Sequence, residues 1–152
     1  MISTFQYVLS VVFAYLGLAA GLIISYMARE ELKPGRKHFV LAQQILLVVI
    51  FEVFFFLFGW TWVSMLVYGL FVVIILQFVT LSKANPYMYS VFGFFAFFAK
   101  DIAGFALICS LIFIYGLLSA ALELDVKKKN YARILLRSFG FVVVAVLLWI
   151  VW

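Results

Sequence analysis

Charge is scarce in this sequence. Only 11% of its 152 residues are Asp, Glu, Lys or Arg, against roughly a quarter in a soluble domain. So few charges cannot solvate a surface, which excludes an ordinary soluble domain. Disorder is excluded as well, because it requires low hydrophobicity and 69% of these residues are hydrophobic. Cysteine and histidine are scarcer still. The single Cys109 excludes an intramolecular disulfide, and its place in an apolar run reads as packing rather than nucleophilic chemistry. The single histidine, His38, has no cluster of His, Cys, Asp or Glu around it at ligand spacing, so no metal site is expected. Also missing are a Ser/His/Asp set, a Cys/His pair, a glycine-rich phosphate loop and a haem-ligating histidine pair. Little is left for an enzyme to use, and no cofactor is expected.

Long apolar runs are what is present. The hydrocarbon core of a bilayer is about 30 Å thick and takes about 20 helical residues to cross. The runs predict an all-α integral membrane protein, a single transmembrane helical domain over residues 1–152. Spans are expected over about 2–28, 40–58, 61–81, 86–99 (short), 102–122 and 134–152. The first run reads as a span rather than a cleaved signal: no basic residue precedes it, and it is too long for a signal core. Neither end carries a lipidation motif. Residues 29–38 hold most of the early charges together with Pro34 and Gly35, and read as a turn in water. Gly59 between Phe58 and Trp60 reads as a tight turn at the headgroup level.

The stretch from Pro86 to Leu122 is too long for one ordinary span. Lys100 and Asp101 interrupt it, since a lysine suits a helix C-terminus and an aspartate caps the next helix. A short helix over 86–99 followed by a span over 102–122 gives six spans. One continuous helix gives five, and the small residues Ala96, Ala99, Ala103, Ala106 and Ser110 keep helical spacing through the break. Charge favours six. The basic segments 29–38 and 123–137 then lie on one side, the cytoplasmic one, and both termini face outward. Spans one and two, three and four, and five and six would form hairpins. No repeat is visible in the residues, so an inverted-repeat transporter cannot be inferred.

Three features stand out against the apolar background. The first span carries small residues on one face: Ser10, Ala14, Gly17, Gly21 and Ser25. Close backbone approach supplies packing where lipid removes the hydrophobic drive, so this face is a helix-packing seam, either inside the bundle or towards a partner. Glu52 is the one acid deep inside a span. An ionised carboxylate there costs about 3 kcal/mol, so it must be protonated, paired or facing water. A hairpin folded at Trp60 sets Glu52 level with Tyr68, and Gln43 or Gln44 level with Gln77. These groups form either an interhelical clamp or an ion, proton or substrate site, with Lys100 and Asp101 as a less favoured extension. Finally, Lys127, Lys128 and Lys129 match anionic lipid headgroups better than nucleic acid.

The expectation is therefore a non-enzymatic multi-spanning protein, a helix-packing subunit or an accessory or assembly factor of a membrane complex. Its partners would be the bilayer and a second copy or other membrane subunits. The alternative is a small oligomeric transporter or channel using Glu52. A lipid-modifying enzyme using His38 with Glu30, Glu31 or the late basic loop ranks last.

Overall fold

The computed structural model describes residues 3–27, 29–59, 61, 68–69, 86–99, 101–123, 135–136 and 138–151. The regular elements among them are five helices: α1 (Thr4–Met27), α2 (Arg29–Leu57), α3 (Pro86–Phe98), α4 (Ile102–Glu123) and α5 (Gly140–Val151). Three helical stretches are long and apolar enough to cross a bilayer, Thr4–Met27, Pro34–Leu57 and Ile102–Leu122, as the helices of a membrane protein are. Two shorter apolar helices accompany them, Met88–Phe98 and Gly140–Val151.

Local chemistry explains where the helices begin and end. Ser3 and Gln6 form a capping box at the start of α1. The Gln6 N–H donates to Ser3 Oγ, and the Ser3 N–H donates to Gln6 Oε1, each at 3.2 Å. At the far end of α2 the Gly59 N–H donates to the Phe56 carbonyl at 3.0 Å, and Gly59 takes a positive φ of 74° that side chains with a Cβ resist. Between α3 and α4 the chain breaks as a cap requires: Asp101 Oδ2 accepts the Gly104 N–H at 2.7 Å. One continuous helix over 86–122 is therefore not what forms.

One expectation needs correction. Residues 29–38 are not a turn: α2 runs unbroken from Arg29 with Pro34 inside it. Arg29 to Lys33 are good helix formers. Pro34 stands in the second turn, where it removes one hydrogen bond close to the helix end. In the last stretch, a turn at Phe139, with its N–H donating to the Leu136 carbonyl at 3.2 Å, precedes α5.

Side-chain pairings fix the directions. α1 and α4 run parallel, since Tyr7 stacks on Phe105 at one end and Gly21 abuts Leu117 further along. α2 runs antiparallel to α4: Gln43 bonds Ser119, whereas Leu57 abuts Gly104. α3 runs with α2, Phe54 pairing with Phe95 and Phe58 with Phe98. α5 runs with α3, Gly140 meeting Ser90 and Gly93 meeting Val144. Although consecutive, α1 and α2 touch little; α4 receives both. The buried core lies where these faces converge, around Val11, Leu18, Phe92, Ile108, Ile112 and Phe141.

Candidate functional site

The small-residue face of α1 lies on α4 of the same chain. Ala14, Gly17, Gly21 and Ser25 are buried and Ser10 is half-buried. A methyl group added at Gly17 would stand 2.7 Å from the Phe113 Cα, and one at Gly21 would stand 2.8 Å from the Leu117 Cα and from the Ala120 Cβ. From the other side, a methyl at Gly116 would lie 2.7 Å from the Leu18 nitrogen. The two backbones thus touch, and only hydrogen in place of a side chain permits it. Gly116 went unnoticed in the sequence because its partner Leu18 lies far away along the chain, with α2 and α3 between them. Ser25 Oγ closes on its own helix, donating to the Gly21 carbonyl at 2.7 Å.

Polar groups inside the bundle join helices. Gln43 Nε2 donates to Ser119 Oγ at 2.9 Å and to the Tyr115 hydroxyl at 3.2 Å, tying α2 to α4. All three residues are buried. Gln77, the partner expected from hairpin geometry, lies outside the described residues. Two tyrosines of α1 reach the last part of the chain. The Tyr7 hydroxyl donates to the Ala145 carbonyl at 3.1 Å, and the Tyr15 hydroxyl to the Leu135 carbonyl at 2.7 Å. The Tyr7 ring is held between Phe105 at 5.0 Å and Trp149 at 4.2 Å, both nearly parallel to it. The sequence did carry a signal for these residues: a tyrosine inside a span must place its hydroxyl on a partner.

Glu52 is half-buried on α2. Its Oε1 sits against Gly69, where any side chain would collide with it. Among the described residues Glu52 accepts no hydrogen bond. Tyr68 is close by in another way, its ring packing 5.2 Å from that of Phe55. Asp101 is exposed and serves as the cap of α4. Lys100, Lys127, Lys128 and Lys129 lie outside the described residues. His38 is exposed on α2, and among the described residues no three metal-ligating side chains converge.

Chemically, this arrangement can hold helices together, and it keeps one carboxylate in an apolar setting. Compared with known proteins, the chain matches no family model, no curated protein and no solved structure.

Proposed function

We propose that this chain is a non-enzymatic, multi-spanning membrane protein that works through helix packing, as a subunit or accessory factor of a membrane complex. One observation carries the reading: Tyr7, Tyr15 and Gln43 all place their polar atoms on neighbouring helices rather than into a shared cavity. The α1 glycines support it too, because they serve contact and leave no room for a ligand. Since α4 covers that seam, a second copy or another subunit would meet a different face of the bundle.

The proposed topology has six spans, with segments 29–38 and 123–137 in the cytoplasm and both termini outside. The helix directions support it. The start of α2, the start of α3 and the end of α4 share one end of the bundle, whereas Leu57 and Asp101 share the other. Residues 58–85 connect the two ends, as an additional span would. Lys127 to Lys129 would then face the anionic inner leaflet.

A second reading, a small transporter or channel, rests on Glu52, whose carboxylate has no hydrogen bond among the described residues. Flux through proteoliposomes separates the two. The packing reading predicts no proton or cation flux above that of empty vesicles, from either the wild type or Glu52→Gln. Flux in the wild type that Glu52→Gln abolishes would establish the transporter instead.

A further inference from the structure

The continuity of α2 through its charged residues creates a surface that a turn would not have made. At 29 residues the helix is about 43 Å long, well beyond a hydrocarbon core of about 30 Å. Its charged first turns therefore stand in the headgroup layer when the apolar remainder crosses. Arg36 and Lys37 are exposed there, and together with Pro34 and Val40 they line an open groove. Deeper along the helix, Leu41, Ile45 and Val49 remain 54%, 56% and 37% exposed. They follow Lys37 at steps of four, forming one slowly winding stripe. From Lys37 to Val49 that stripe is about 18 Å long, close to the half-thickness of about 15 Å that one acyl chain fills.

We propose that this face of α2 binds one anionic phospholipid of the bilayer. The phosphate sits between Arg36 and Lys37, and an acyl chain lies along Leu41, Ile45 and Val49. Charge complementarity selects the headgroup: a guanidinium offers paired donors to phosphate oxygens, and the neighbouring ammonium adds a second positive charge. The apolar stripe selects a lipid over a free anion, because inorganic phosphate would leave it unused. A neutral lipid would use the stripe and leave the two cations facing no net negative charge.

Native mass spectrometry of the full chain tests this, with phosphatidylglycerol and phosphatidylcholine offered together at equal concentration. The wild type should retain phosphatidylglycerol preferentially. Each basic residue near the bilayer surface contributes about fivefold in affinity, so Arg36→Gln and Lys37→Gln should each weaken the preference by about that factor. The double variant should weaken it about 30-fold, and Arg36→Lys with Lys37→Arg should keep most of it. If the double neutral variant fails to fold, the single variants carry the test. Three outcomes would overturn the proposal: no preference in the wild type, a preference that survives both neutral substitutions, or displacement of the lipid by inorganic phosphate.

Discussion

At the residue scale, Tyr7, Tyr15 and Gln43 carry their polar atoms across to other helices. Gln43 is the clearest case, one amide serving the Tyr115 hydroxyl and the Ser119 Oγ from the opposite helix. Interhelical bonds in membranes average about 0.6 kcal/mol and reach about 1.7, because the separated helices also find partners. Gln43→Leu should therefore destabilise the bundle by about 1 kcal/mol, since it strips Gln43 from both hydroxyls. Thermal unfolding in a mild detergent checks this, and an unchanged midpoint would mean that the two bonds add nothing net. That Gln43 would act as an interhelical group was legible in the sequence, as an amide inside a span. Its partners were not. Hairpin arithmetic pairs only consecutive spans, whereas Tyr115 and Ser119 come from a helix more than seventy residues later.

At the element scale, capping groups were readable and the proline was misleading. Asp101 stands where an apolar stretch too long for one span had to be interrupted, and its carboxylate holds the Gly104 N–H. Asp101→Ala should cost about 1 kcal/mol, with the loss confined to the first turn of α4. Hydrogen exchange at Gly104 and Phe105 should accelerate, and Asp101→Asn should restore most of the protection. Equal exchange in all three proteins would remove the capping role. Pro34 with Gly35 resembled a turn because both residues usually punctuate helices. The helix forms through them because the proline lies near its end, where one lost bond is tolerable. The seam shows the same division. The small residues of α1 were visible as a stripe, but that α4 would fill it depends on Gly116 and Ala120, a pair too short to stand out in the sequence.

At the scale of the whole molecule, the scarcity of charge becomes a pattern in depth. The basic residues of α2 stand on the end of the bundle from which α4 leads into residues 124–134, while Leu57, Gly59 and Asp101 gather at the opposite end. Parallel packing of α1 on α4, with α2, α3 and α5 running the other way, gives the chain two distinct faces. The account rests on those faces being the two sides of a membrane. Labelling of single cysteines in a Cys109→Ala background with an impermeant maleimide tests it most directly. Cysteines placed at Ser3 and Thr61 should react on intact cells, whereas those at Lys37, Ser82 and Asn130 should react only after the membrane is permeabilised. Labelling of Ser82 and Asn130 from opposite sides, or of Lys37 from outside, would contradict the account.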